Sequence, residues 1–181
     1  MAHDPNNGTR ETFGGVIPYI EALSATSQFT NSTTEAAFGT GVATIPLAQL
    51  QSSQRWKWKA WVWTESINAG DETQIKAYLG TISDLELLDS TSVVVTANDM
   101  FVLEGEISIR TLDGASSVVD CFSRGWTELG PALPVSYLPN QTGTDLSSGL
   151  TVSISCDHSV AHADNQSTLV DFYVQAVPTV A

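Results

Sequence analysis

Two histidines four residues apart, His158 and His162, lie between Asp157 and Asp164, the one grouping in the chain that resembles a metal site. On a helix that spacing would set both imidazoles on one face. Here the segment falls between two predicted strands, and no Glu stands where a hydrolytic motif needs one. A solvated loop is expected, with a structural or adventitious cation as the alternative. Cys121 and Cys156, the only cysteines, each sit in an alternating apolar run, where a free thiol behaves as a small hydrophobe. Buried thiols are expected and a disulfide is the alternative; two Cys alone cannot make a zinc site. The chain has no G-x-S-x-G elbow, Cys–His arrangement or P-loop, and Gly39-Thr40-Gly41 falls short of a phosphate loop. Glu104 and Glu106 share one strand face and read as solvation. The chain is therefore expected not to be an enzyme, with no catalytic residue, cofactor or metal. An unrecognised hydrolase would need a perturbed carboxylate or His158 in a cleft.

The residues better suited to binding are aromatic. Four of the five Trp fall in Arg55-Trp56-Lys57-Trp58-Lys59-Ala60-Trp61-Val62-Trp63. Strict alternation puts Trp56, Trp58, Ala60 and Val62 on one strand face, and Trp61 and Trp63 on the other with Arg55, Lys57 and Lys59. The tryptophans change phase at Lys59-Ala60. A bulge there would return all four indoles to the core. Without one, an indole pair faces outward, where such patches usually meet a partner or ligand. Trp61, Trp63, Lys57 and Lys59 are accordingly candidate interface residues.

The elements that would position these groups are strands. The chain has 181 residues, 20 acidic and 7 basic, for a formal net charge of −13; charged residues make up 15%, below the roughly 25% usual in soluble proteins. Ser and Thr fill the gap, favouring strands and turns. So few cations argue against nucleic-acid binding, and no run of 18 apolar residues predicts a membrane span. The opening Met-Ala-His-Asp-Pro-Asn-Asn does not read as a secretory signal. The N-x-S/T sequons at Asn7, Asn31, Asn140 and Asn165 then reflect composition rather than glycosylation.

Residues 1–40, dense in Asn, Gly, Thr and Ser, read as an extended partner-docking arm, with Phe13, Ile17, Tyr19 and Ile20 as its candidate contacts and a short amphipathic turn over 17–25. Residues 41–181 read as one domain of eight or nine short strands: 42–47, 55–65, 74–82, 85–88, 92–97, 100–112, 118–123, 150–156 and 169–177. Gly105 marks a candidate bulge, Asp113-Gly114 a hairpin turn, and 131–149 a long loop. The economical packing is an all-β, antiparallel two-sheet sandwich of jelly-roll type.

Phe101-Val-Leu-Glu-Gly-Glu-Ile-Ser-Ile-Arg-Thr-Leu-Asp-Gly-Ala, the strand Asp145-Leu-Ser-Ser-Gly-Leu-Thr-Val-Ser-Ile-Ser-Cys, and the final Ala163-Asp-Asn-Gln-Ser-Thr-Leu-Val-Asp-Phe-Tyr-Val together resemble a pattern in tailed-bacteriophage virion proteins, the jelly-roll decoration (cement) and fibre-tip subunits. The resemblance covers roughly the C-terminal half; the Asp157–Asp164 segment and the arm depart from it. It implies a non-enzymatic virion protein on the outer capsid surface, assembled in the host cytoplasm, with the major capsid protein and itself, as a homotrimer, for partners. The alternative is a receptor- or glycan-binding fibre tip or a carbohydrate-binding module, with sugars stacking on Trp61 and Trp63.

Overall fold

Alternation of apolar and polar residues, with β-branched and aromatic side chains, builds nearly every element. The computed structural model describes residues 9–12, 15–21, 27–65, 70–94, 98–128 and 132–178. Among these are thirteen strands: β1 (Thr9–Thr12), β2 (Gly15–Glu21), β3 (Ser27–Thr30), β4 (Ala36–Ile45), β5 (Arg55–Glu65), β6 (Glu72–Leu79), β7 (Leu85–Asp89), β8 (Val93–Val94), β9 (Asp99–Thr111), β10 (Ser117–Thr127), β11 (Ala132–Thr144), β12 (Leu150–His158) and β13 (Gln166–Ala176). The larger sheet runs β1-β2-β13-β5-β9-β10-β11, with β3 also on β13; the smaller runs β4-β12-β6-β7, with β8 also on β6. Neighbours pair antiparallel, and the chain passes repeatedly from one sheet to the other, giving the jelly-roll-type sandwich expected from sequence.

One core fills the space between the sheets. Trp56, Trp58, Phe101, Phe172, Ile107 and Leu103 from the larger sheet meet Phe38, Ile75, Ile154 and Leu87 from the smaller, all at most 2% exposed. Burying one indole removes roughly 150–250 Å² from water, on the order of 5 kcal/mol as an upper bound. Trp56 and Trp58 are therefore principal anchors of the fold.

Several segments differ from the sequence reading. The expected loop over 131–149 contains the thirteen-residue strand β11. It closes one edge of the larger sheet, and most of its side chains are exposed, so it has no apolar alternation to read. Pro134 and Pro139 fit there because an edge strand needs hydrogen bonds on one side only. The turn expected from residue 17 is strand β2 over residues 17–21, hydrogen-bonded to β13; residues 22–26 lie outside the described residues. Strand β4 runs across the boundary drawn for the arm at residue 40. Gly105 marks no bulge, since β9 pairs with β5 and β10 in unbroken register around it. A methyl group there would come within 2.6 Å of the Trp58 indole nitrogen and 2.5 Å of the Phe122 carbonyl oxygen, so the glycine makes room for the indole. The irregularity falls in β4, where Val42 pairs with Ser153 but Ala37 with Ser155. Gly39-Thr40-Gly41 is that bulge, and a Cβ at Gly41 would sit 3.0 Å from the Ile154 carbonyl.

Candidate functional site

Strand β5 settles the tryptophan phase. Its residues pair one for one with β9 from Arg55 opposite Ser108 to Thr64 opposite Asp99, so no bulge interrupts it and alternation holds throughout. Trp56, Trp58, Ala60 and Val62 are buried, whereas Trp61 and Trp63 lie half-buried on the opposite face beside Lys57 and Lys59. The reading that returns all four indoles to the core is overturned. The bulge occurs instead in the neighbouring strand β13, between Leu169 and Asp171.

Register across the larger sheet assembles the rest of this outer face in rows. Gln175, Lys57, Glu106, Phe122 and Tyr137 form one row; Tyr173, Lys59, Glu104, Arg124 and Val135 the next; Asp171, Trp61, Val102 and Trp126 a third. The Lys59 ammonium lies 4.7 Å from the Trp61 ring centre and 5.4 Å from that of Trp126, within cation–π range of both. Tyr173 packs 5.9 Å from Trp61, centre to centre. Phe122 (42%), Trp126 (38%), Val135 (67%) and Tyr137 (65%) continue the exposed apolar surface towards the β11 edge. A depression of about 210 Å³ lies among Lys57, Lys59, Glu106, Phe122, Arg124 and Tyr173.

Charge is concentrated on the same surface. Arg55, Lys57, Lys59, Arg110 and Arg124, five of the chain's seven cations, stand here with Glu65, Glu104, Glu106, Asp120 and Asp171, so the face is near neutral on a chain of net charge −13. Arg55 forks onto Glu106 at 2.7 and 3.1 Å, and Arg110 pairs with Asp120. Glu104 receives Arg124 at 2.6 and 2.8 Å and Lys59 at 3.4 Å. Partial burial disfavours its charge, but the hydrogen bonds from Arg124 and Lys59 outweigh that and hold the carboxyl below its ordinary pKa. Glu104 and Glu106 are thus paired, not merely solvated. Of the five cations, Lys57 alone makes no ion pair among the described residues.

Sequence reasoning found Trp61, Trp63, Lys57 and Lys59 for this face and missed Phe122, Trp126, Val135 and Tyr137. Extending the strand expected at 118–123 by four residues, to Thr127, would have put Phe122, Arg124 and Trp126 in phase; Val135 and Tyr137 had no such signal. Of the arm residues, Phe13 lies outside the described residues. Ile17, Tyr19 and Ile20 belong to β2, whose backbone aligns Tyr19 with Gln175 and Ile20 with Val174, bringing the arm onto the same sheet as the Trp strand.

The other chemical candidates disperse. His158 ends β12 rather than lying in a loop, and is 1% exposed. Its Nε2 lies 3.0 Å from the Ser167 hydroxyl, itself 3.1 Å from that of Thr64, and its ring stands 5.2 Å from Phe29. Burial pushes its pKa down. His162 is half-buried and turns to Asp164, its Nδ1 accepting that residue's backbone N–H at 3.2 Å. The two imidazoles do not converge, and no group of three metal-ligating side chains occurs among the described residues. Cys121 and Cys156 are free and buried, as expected; desolvation pushes the Cys121 thiol up to about 12 and the Cys156 thiol higher still, which suppresses thiolate chemistry. On the smaller sheet, Glu35 accepts hydrogen bonds from Ser155 at 2.6 Å, Tyr78 at 2.8 Å and Lys76 at 3.1 Å, pinning the β3–β4 connection across β12 and β6.

No family model matches the chain, and no curated protein does. Solved structures of similar outline include the T13 viral particle of infectious bursal disease virus, at 10% identity over 98% of this chain and 35% of that one, TM-score 0.37. Peanut lectin gives 9% identity over 99% and 96%, TM-score 0.37. The CBM2 module of the evolved Dit of Lactobacillus casei BL23 phage J-1 gives 9% over 77% and 70%, TM-score 0.34. The chain spans about a third of the length of the viral capsid chains it resembles. Likeness at this level carries no activity, ligand or partner over to this chain.

Proposed function

We propose that the protein is a non-catalytic structural subunit of a virion, a decoration or cement protein that docks on the outer surface of a capsid and stabilises it through contacts with the major capsid protein and with its own copies in a homotrimer. The observation that carries the docking role is the outer face of the larger sheet, where aromatic rings, hydrocarbon stems and cations are left half-exposed with no segment of the described chain packed over them. Aromatic and Arg side chains are the groups that dominate protein interfaces. On an acidic chain this neutral, cation-bearing surface is also where an acidic partner meets least repulsion. The virion setting comes from the resemblance of the C-terminal strands to tailed-phage decoration and fibre-tip proteins.

A sugar platform at Trp61 is disfavoured because the Lys59 ammonium already lies over the ring, and a stacking sugar would have to displace it. A subunit that binds only the assembled shell stabilises that shell by mass action. Co-sedimentation of the purified protein with capsid shells tests the docking, and light scattering after size exclusion tests the trimer. Pelleting with the shells and a mass three times that of the chain are expected. A monomer that stays in the supernatant would overturn the proposal.

A further inference from the structure

At one end of the sandwich, remote in the fold from the Trp–Lys face, the β6–β7 turn and the β11–β12 connection enclose a cavity of about 440 Å³, within the range of small-ligand sites. We propose that this cavity is a binding site for a neutral saccharide.

The walls are pre-formed. The Gly80 amide donates to the Thr151 carbonyl at 2.8 Å, and the Ser153 hydroxyl to the Gly80 carbonyl at 2.7 Å. Opposite, the Leu146 amide is tied to the Gly114 carbonyl at 2.9 Å and the Gly149 amide to the Leu146 carbonyl at 3.0 Å. Such fixed walls lower the ordering cost of binding.

The lining is chemically selective. Asp84 spends one carboxylate oxygen on the backbone N–H and hydroxyl of Thr81, at 2.6 and 2.8 Å; Asp145 spends one on the Ser147 amide at 2.9 Å. The Ser147 hydroxyl also hydrogen-bonds the Asp145 carboxylate; the other oxygen of Asp84 has no donor among the described residues, and the Thr142 and Ser148 hydroxyls on the rim have no hydrogen-bond partner there either. Leu79, Leu85 and Leu146 supply an apolar side. A ligand that suits this must offer several hydroxyl donors on one side and C–H surface on the other, which is the chemistry of a sugar ring. Two carboxylates with no cation in the lining, on a chain of net charge −13, reject phosphates, sulfated sugars and uronates. No aromatic ring lines the cavity to stack a base. The site does not depend on the docking face, and the two can fail separately.

The test is a titration of the isotope-labelled full chain with neutral gluco-, manno- and galacto-oligosaccharides, followed by amide NMR. The expected result is saturable shifts of the Gly80, Gly143 and Gly149 amides with at least one sugar, at a dissociation constant of about 1 mM or tighter. Affinity should fall at least tenfold in Ser148→Trp, which fills the exposed rim, and in Asp84→Asn; Thr142→Trp serves if Ser148→Trp does not fold. No shift with any of the sugars, shifts that survive both the rim-filling substitution and Asp84→Asn, or shifts produced only by calcium chloride would overturn the proposal.

Discussion

The two outer faces of this sandwich handle their polar groups in opposite ways. On the smaller sheet, Ser155, Tyr78 and Lys76 all converge on Glu35, and the Gln74 amide lies on both oxygens of Asp89 at 2.7 and 2.8 Å. The β3–β4 connection lies against that face through Glu35, over Ser155, which is fully buried. On the larger sheet ion pairs are more numerous, four against one among the described residues, but rings stand among them uncovered: Phe122, Trp126 and Tyr137 are all more than a third exposed. The contrast teaches that a polar network closed by the chain's own loop is architecture, whereas charges interleaved with open aromatic surface leave association energy unspent.

The largest effect expected from breaking this contrast is in the interior. Trp58→Ala should cost about 3–5 kcal/mol of stability, as for other large-to-small core substitutions, read as a lower denaturation midpoint. Gly105→Ala forces a methyl group against the Trp58 ring and the Phe122 carbonyl and should cost about 1–3 kcal/mol. Glu35→Ala removes the acceptor shared by three donors and should cost about 1–3 kcal/mol, with docking through the other face intact. If that substitution instead abolished docking, the division between a closed face and an open one would not hold.

A smaller effect is pH-dependent. His158 is held neutral by burial, which lowers its folded pKa below the ordinary 6.5, with Asp71 pulling weakly the other way. The unfolded chain therefore binds a proton that the folded chain refuses, so stability should decline as pH falls below about 6.5. Denaturant midpoints measured between pH 7 and 5 should show that slope, and His158→Gln, which keeps a donor for Ser167, should flatten it. Glu35 responds lower on the scale. Burial opposes its charge, but Ser155, Tyr78 and Lys76 hold its pKa below 4.5, so its contribution is present above 4.5 and lost as the folded chain takes up the proton below that.

Much of this was legible in the sequence because burial writes itself as alternation. Strand β5 was read from Arg55 to Glu65, and β9 and β12 to within two residues at each end, since each carries one face that is apolar along most of its length. Strand β11 was illegible for the converse reason: an edge strand that buries little besides Leu133 has no period to detect. The candidate face was half legible. Trp61 and Trp63 betrayed themselves by phase, but which phase prevailed depended on β13 taking up the bulge, and a partner strand's irregularity is not encoded in β5. His158 was placed in a loop because Asp157 and Ser159 flank it, while Ser167, which partners its Nε2, and Thr64, which partners Ser167 in turn, are remote in sequence.

The docking face carries the central claim, and the most direct test is co-sedimentation with capsid shells of the intact protein beside a Trp61→Ser, Trp126→Ser double variant. Both rings are partly exposed, so the variant is expected to fold with a melting temperature near that of the parent and to lose binding at least tenfold, as when aromatic anchors are truncated. Undiminished pelleting of a folded double variant would contradict the account.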